Sequence, residues 1–376
     1  MNKKTLTIKW GSYLRMPIAI LLALLIGFFL TAMFSEDPFY AYYKFLTGPV
    51  SYLNRFGDWI EDAITLTLLG LSVSIVYSAN QFCLGAEGQM TFGALVAGIA
   101  VLFLPLPSLL LIPAAMLLAM MAGFLWGAVP GLLKAKLNAN EIVSSLMLNY
   151  VAVKFYEYFV TFKLTLPGAG FVASQPFPDS AALGSFIPNL PFLAAIRQQF
   201  MRQTSITIAL YITIAAVLLV SYMMYRTTIG YEIRITGQNP LFAKYGGIKI
   251  TRVIFLSMAI SGAFAGLAGA HVAVGIHERL LLGVAVGFGF EGIVVSLLAK
   301  NNPKWVPLAA LVYAYLRTGA DVMERSTDIS REMVLIIQGL IILFITAERT
   351  FAFHKVEGGL FHRFSKKTSE AKQETL

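Results

Sequence analysis

The sequence predicts an all-α, polytopic membrane protein of about ten transmembrane helices with both termini in the cytoplasm. Of its 376 residues, 57% are hydrophobic and only 13% are charged, which is about half the charged fraction of an ordinary soluble domain. Apolar runs of nearly 20 residues recur along the chain, and only helices or closed barrels satisfy their backbone within lipid. The strongly basic loops all fall on one side of the predicted topology, which orients the chain by the positive-inside rule.

Ten apolar segments are the predicted spans. They are residues 16–34, 63–79, 91–104, 109–128, 141–162, 205–225, 253–274, 283–298, 306–319 and 333–346. Four basic residues and no acid precede the first segment, which keeps the N-terminus inside. That segment is too long for the apolar core of a signal peptide, and no clear cleavage site follows it, so we interpret it as a membrane anchor. The turn at 80–90 is glycine-rich and lacks basic residues, so re-entry into the bilayer is a second interpretation for it.

The chain divides into three parts by its position relative to the membrane. Residues 1–15 form a cytoplasmic N-terminal tail, residues 16–347 the transmembrane domain and residues 348–376 a cytoplasmic C-terminal tail. A basic cytoplasmic loop at 226–252 interrupts the transmembrane domain. Residues 163–203 form the longest external loop, rich in Pro, Gly and Ser.

Several classes of function are excluded by composition and by missing motifs. Cys83 is the only cysteine and the four histidines are scattered without ligand spacing, so neither a disulfide nor a metal site is predicted. No phosphate-binding G-x-x-x-x-G-K-[ST] run and no catalytic constellation occurs, so no catalytic residue is assigned and the chain is not expected to be an enzyme. The basic residues concentrate in the tails and short loops, where they orient the chain in the membrane and contact anionic lipid of the bilayer. Nucleic acid is therefore not an expected partner.

The sequence predicts one short helix within the basic loop at 226–252. Asn239 is a good N-cap, and Pro240 suits the first helical position, where its missing N–H costs nothing. The helix continues to Tyr245, and the Gly246-Gly247 pair ends it with a left-handed cap. Its apolar edge fits a groove on a cytoplasmic partner or, alternatively, the headgroup layer of the membrane surface. The candidate docking residues are Asn239, Pro240, Leu241, Phe242, Lys244, Tyr245 and Gly247.

Two glycine-rich segments occupy matching positions in the two halves of the chain. The first covers residues 85–98 on the third predicted span, and the second covers residues 283–292 on the eighth. These spans are five apart and opposite in direction, which predicts an inverted five-plus-five repeat. Glycine-interrupted helices in such repeats expose backbone groups around a cavity near the membrane midplane. We therefore expect the two segments to line a pathway for a polar solute.

Six side chains are the candidate lining of this pathway. The two glutamates of the glycine-rich segments either contact the solute or cap helices. The one aromatic ring either stacks on the solute or packs in the bundle, and the three amides bond either the solute or neighbouring helices. The set is Asn80, Glu87, Gln89, Phe288, Glu291 and Gln338.

Several runs of the sequence resemble one family. They are the loop run at 234–252 with ISGAFAGLAG at 260–269, LGAEGQ at 84–89, and GFGFEGIVVSLL at 287–298. Together they are similar to the permease subunits of bacterial ABC importers for simple sugars, nucleosides and branched-chain amino acids. LGAEGQ is similar to the NIGAEGQ run of the nucleoside-type permeases, with Cys83 where that run usually begins with Asn. The resemblance therefore favours nucleosides.

The resemblance implies a role and a set of partners. The short helix would be the coupling helix that docks on a separate ATPase subunit, and ATP and magnesium would bind there, with no cofactor in this chain. A second permease, identical or homologous, would complete the pathway. An extracytoplasmic binding protein would deliver the solute, and the complex would lie in the bacterial cytoplasmic (inner) membrane. The alternatives are a simple-sugar permease of the same superfamily and an ion-coupled secondary transporter with Glu87 and Glu291 as ion ligands.

Overall fold

A computed structural model gives the fold as a set of helices. It describes residues 25–165, 170–178, 181, 206–330, 332–336 and 339–340. Within these residues the regular structure is helical, apart from two isolated β-bridges. The predicted all-α class is confirmed for this part of the chain.

The helices are numbered in chain order. They are α1 (Leu25–Phe34, its described part), α2 (Pro38–Ser51), α3 (Leu53–Ser78), α4 (Ala86–Phe103), α5 (Ser108–Leu137), α6 (Glu141–Phe159), α7 (Ala209–Arg226), α8 (Thr228–Gln238), α9 (Pro240–Tyr245), α10 (Ile250–Ala270), α11 (Phe288–Leu298) and α12 (Val306–Ser326). α6 and α10 continue into π-type turns, Val160–Leu164 and His271–Ile276. In the described residues, α3, α4, α5, α7 and α10 are long and apolar enough to cross a membrane. The larger count of ten spans stays a prediction.

α5 and α10 pack along a seam of glycines inside the compact unit formed by residues 47–319. A Cβ added to Gly123 or to Gly262 would collide with the carbonyl oxygen of the other residue. Gly93 of α4 lies equally close to the backbone of Gly266. Glycines four apart on each helix predict such an approach, because small residues let two backbones touch where lipid supplies no hydrophobic drive. The close packing is confirmed.

Several helices extend beyond the predicted spans. α3 begins at Leu53 rather than at residue 63, α5 continues to Leu137, and α12 continues to Ser326. The added turns carry polar residues, which hydropathy excludes from a span although they propagate a helix well. α2 lies within residues 35–58, which the sequence predicts as part of an external loop.

Two elements differ from the prediction in kind. α11 begins only at Phe288, because Gly283 and Gly287 have φ values of +75° and +83° and hold the preceding chain in turns. α8 forms where the sequence suggests loop. Its N-cap is Thr227, whose hydroxyl accepts a hydrogen bond from the Gly230 N–H at 3.3 Å.

The second compact unit comprises residues 1–46 and 320–376. In its described part, the Asp328 carboxylate accepts hydrogen bonds from the Glu36 N–H at 2.7 Å and from the Ser35 hydroxyl at 2.8 Å. These two hydrogen bonds hold the pKa of Asp328 below its ordinary value.

Some predictions fall outside the described residues. They concern the tails at 1–15 and 348–376, most of the external loop at 163–203, and Gln338. The position of both termini in the cytoplasm therefore stays a prediction.

Candidate functional site

The two glycine-rich segments meet in the structure at the starts of α4 and α11. A Cβ added to Gly289 would lie 2.9 Å from the backbone nitrogen of Glu87, so only glycine fits this contact. The Glu87 carboxylate also lies close to the Gly287 N–H. Both helix starts carry backbone N–H groups that have no partner within their own helix. Polar groups from the two halves of the chain are thus gathered at one place in the bundle.

The non-helical chain that precedes α4 is held by two side chains of α6. The Ser145 hydroxyl accepts a hydrogen bond from the Leu84 N–H at 3.1 Å. The Asn149 carboxamide accepts from the Gly88 N–H at 2.9 Å and donates to the Leu84 carbonyl at 2.7 Å. Since α6 begins at Glu141, these side chains lie about 6 and 12 Å along it. Non-helical backbone that lies inside a bilayer needs hydrogen-bond partners from the protein. These contacts therefore support re-entry of the turn at 80–90 into the bilayer.

Asn149→Leu is expected to destabilise the protein, because leucine leaves the Gly88 N–H and the Leu84 carbonyl unpaired. Each unpaired buried group costs about 1–3 kcal/mol, so the thermal unfolding midpoint should fall by roughly 5 °C or more. The measurement is a melting curve of the detergent-purified protein. Tyr150→Leu, at an exposed neighbouring position, is the control and should melt like the wild type. An unchanged midpoint for Asn149→Leu would contradict the role given to this side chain.

A charged cluster joins α3, α11 and α12. Arg317 forms an ion pair with Glu291, and its Nε lies 3.6 Å from Oδ2 of Asp62. The guanidinium carbon also lies 4.1 Å from the centroid of the Phe288 ring. The three charged side chains are only 20–23% exposed. Because Arg317 covers one face of the Phe288 ring, only the other face remains for stacking on a solute.

Removing the cation alone from this cluster is expected to destabilise the protein more than neutralising the whole cluster. Arg317→Gln leaves two largely buried carboxylates without their partner, which costs about 3–5 kcal/mol. The triple variant Arg317→Gln/Asp62→Asn/Glu291→Gln removes these charges together and should recover most of the lost stability. Melting midpoints of the two purified variants measure the difference. Equal midpoints for the two variants would contradict the predicted cost of leaving the two carboxylates charged without Arg317.

The other described candidates for the pathway lie in different surroundings. Gln89 is 1% exposed, and its carboxamide lies against the Cys83 thiol without forming a well-made hydrogen bond to any described residue. Asn80 occupies an exposed turn after α3, with a φ of +55°. The candidates that the structure brings together around the start of α11 are Glu87, Phe288 and Glu291.

α9 is a six-residue helix whose apolar edge points outward, as the sequence predicts. The Asn239 side chain caps it by accepting the Phe242 N–H at 3.0 Å, and Gly247 ends it with a φ of +80°. The exposed fractions of its apolar side chains are 69% for Leu241, 61% for Phe242 and 91% for Tyr245. Such an edge is suited to a groove on another protein.

Contacts from the neighbouring helices hold α9 in place. Ala243, its inward-facing residue, is fully buried, and its carbonyl accepts the Ile248 N–H at 3.0 Å. Gly237 of α8 lies so close to the Ser78 carbonyl at the end of α3 that no larger residue fits. The exposed edge therefore sits on a support tied to the membrane helices.

The fold and the site together define a class of protein. A helical bundle with apolar helices long enough to cross a membrane, a polar cluster inside it and a short exposed helix at one end describes a multi-pass membrane permease. The chain belongs to the family described as branched-chain amino acid transport system / permease component, whose match covers residues 56–346. It is therefore an ABC transporter permease, a transport component rather than an enzyme.

Three similar proteins match about nine-tenths of the chain. The guanosine ABC transporter permease protein NupP of Bacillus subtilis is 32% identical, over 92% of this chain and 97% of its own length. The glucose ABC transporter permease protein TsgB13 of Haloferax volcanii is 30% identical, over 92% and 90%. The nucleoside ABC transporter permease protein NupB of Lactococcus lactis subsp. cremoris is 29% identical, over 88% and 90%. The resemblance inferred from the motifs is confirmed at the level of the family.

Sequence reasoning missed the acidic residues on the first half of α3. Asp62 reaches the charged cluster, and Glu61 is 4% exposed, with one carboxylate oxygen that has no partner among the described residues. Their signal was the group of three acids that includes Asp58, directly before an apolar run. Because hydropathy places this group outside the span, the sequence does not predict its contacts within the bundle.

Proposed function

We propose that this permease carries nucleosides into the cell as part of an ATP-driven importer. Two relatives named for guanosine and for nucleosides match about nine-tenths of the chain, which supports this substrate class. The LGAEGQ run at 84–89 supports it as well. The observation that carries the coupling to ATP is α9, because an exposed apolar edge on a rigid support is what a partner ATPase can push.

The proposed mechanism is alternating access. A separate ATPase subunit, which holds ATP and magnesium, closes on ATP and displaces α9 together with α8. A second permease, identical or homologous, shares the central cavity, and an extracytoplasmic binding protein delivers the solute. In this chain the solute would meet Glu87, Gln89, Phe288 and Glu291, with Asn80 and Gln338 as the remaining candidate contacts.

The finer architecture belongs to the same proposal. The transmembrane domain at 16–347 would hold ten spans in the inner membrane, related as an inverted five-plus-five repeat, with the tails at 1–15 and 348–376 and the loop at 226–252 in the cytoplasm. The contact between the starts of α4 and α11, five predicted spans apart, is what a two-fold axis in the membrane plane would produce. An experimental structure in which spans one to five do not superpose on spans six to ten would remove the repeat.

Solute uptake with a matched set of candidate partners tests the proposed function. Cells without their own nucleoside uptake would express the chain with a candidate ATPase and binding protein, and radiolabelled guanosine, uridine and glucose would be compared. We expect nucleosides to enter at least about tenfold faster than glucose, as a site that hydrogen-bonds its solute selects strongly against analogues. Faster glucose uptake would favour a simple-sugar permease, the second candidate, which the similarity to TsgB13 supports.

The ion-coupled alternative makes a different prediction for purified protein. A secondary transporter would move its solute across liposomes in response to an ion gradient with no ATPase present, with Glu87 and Glu291 as the ion ligands. Transport under those conditions would overturn the importer proposal.

A further inference from the structure

A basic cavity of about 760 Å³ lies between α9 and the adjoining ends of α5 and α10. Its cationic lining comes from three segments: the last turn of α5, α9 itself, and the chain at the start of α10. The four cations that line it are Lys136, Lys244, Lys249 and Arg252. All four residues are exposed, and no described carboxylate forms an ion pair with any of them.

The arrangement of these cations favours an anion with an apolar body. Four like charges around one cavity repel each other, and the first N–H groups of α10, which begins at Ile250, add positive potential there. The cavity also contains apolar side chains, among them Leu132, Ile248 and Phe255. A small inorganic anion would use the cations and leave this apolar wall in contact with water.

The position of the cavity along the membrane helices matches the depth of lipid headgroups. The candidate spans of α5 and α10 are Leu110–Leu137 and Ile250–Ile276, so the cavity lies where both spans end. From it an apolar stripe runs along α5 at helical spacing, and within the part of the chain that the structure describes its side chains are exposed. The exposed residues of the stripe are Leu118, Met121, Leu125, Val129 and Leu132.

We propose that this cavity binds the phosphate headgroup of an anionic phospholipid, with an acyl chain lying along the α5 stripe. Basic pockets between membrane helices at the cytoplasmic side suit such headgroups, and the stripe supplies the apolar path that a phospholipid requires. A carboxylate of the partner ATPase would match the cations but leave the stripe unused. The proposal rests on the orientation given to α9 under the proposed function, and it does not depend on which solute is carried.

Lipid titration of the purified full chain tests the proposal. The protein in a neutral detergent would be titrated with phosphatidylglycerol and, separately, with phosphatidylcholine, and bound lipid counted by native mass spectrometry. We expect at least about tenfold tighter binding of phosphatidylglycerol, because each basic side chain near an anionic headgroup contributes roughly fivefold. Equal binding of the two lipids would overturn the proposal, as would inorganic phosphate that displaces the lipid at equal concentration.

Paired charge-neutral variants locate the site. Lys136→Gln/Lys249→Gln should weaken phosphatidylglycerol binding about 25-fold, by the same fivefold contribution of each cation. Lys300→Gln/Lys304→Gln removes two exposed lysines from another loop on the same predicted side and should leave binding unchanged. Melting curves show that each variant is folded. If the first variant keeps its lipid affinity, whether or not it loses a co-purifying ATPase, the lipid site is wrong. Because no solute or ATPase takes part in the titration, its failure is distinct from failure of the nucleoside assignment.

Discussion

Phe242→Asp is expected to abolish solute uptake and co-purification of the ATPase while leaving the permease folded. Phe242 is 61% exposed, and truncating a central aromatic anchor of an interface costs about 2 kcal/mol or more, which weakens binding about 30-fold. A charge in its place also forbids insertion into an apolar groove. The measurements are uptake of the labelled solute and pull-down of the ATPase from the same membranes.

The position of Phe242 in α9 makes this variant a clean test. It is the third helical residue after the Asn239 cap, where an acidic side chain favours the helix dipole, so α9 should persist. Tyr231→Asp, at an exposed aromatic position on α8, introduces the same charge in the same loop and should retain uptake. Normal uptake by Phe242→Asp would contradict a force-receiving role for α9 and favour the ion-coupled alternative.

Gly262→Val is expected to lower the yield of folded protein sharply. A side chain at this position would collide with the backbone of Gly123, and neither helix can retreat without opening the seam between α5 and α10. Overpacking of this kind costs about 2 kcal/mol or more, which lowers the folded-to-unfolded ratio about 30-fold. The measurement is the yield of monodisperse protein by fluorescence-detected size-exclusion chromatography.

Substitutions at two further glycines are expected to lower the yield less or not at all. Gly131→Ala, on the same face of α5, brings a Cβ to 3.1 Å from the Met258 Cβ, which the neighbouring side chain can accommodate with a smaller loss of yield. Gly170 has no atom within 4 Å of an added Cβ, so Gly170→Ala should express like the wild type. Equal yields for Gly262→Val and Gly170→Ala would show that the seam is looser than its geometry implies.

Local chemistry explains why α9 could be predicted to the residue. A cap, a proline and a pair of glycines act within a few residues of one another, and the bounds Pro240–Tyr245 follow from them. The close approach of α5 and α10 could be predicted too, because the four-residue spacing of the glycines is visible in the sequence of each helix alone. The matching positions of the two glycine-rich segments predict a shared lining of one pathway, and the contact between Gly289 and Glu87 is compatible with it.

The features that the sequence does not predict depend on contacts between distant parts of the chain. Arg317 and Asp62 are far apart along the chain, and their pairing depends on how α3 and α12 pack. Hydropathy treats such residues as the ends of spans. α8 was missed because Gly230 and Gly237 lower helix propensity. Both glycines are nevertheless needed in the folded state, since each lies against the backbone of a neighbouring segment.

α3 spans the distance between the loop that supports α9 and the charged cluster. Its C-terminal end at Ser78 lies against Gly237, and Asp62 on the same helix pairs with Arg317 at 3.6 Å. The two contact points lie about 24 Å apart along one continuous helix. A continuous helix tends to move as one body, so under the proposed importer mechanism a tilt of α3 at its Ser78 end would also shift Asp62 at the other contact point. The proposed alternating access would then couple the loop that carries α9 to the charged cluster through one helix, with no further element between them.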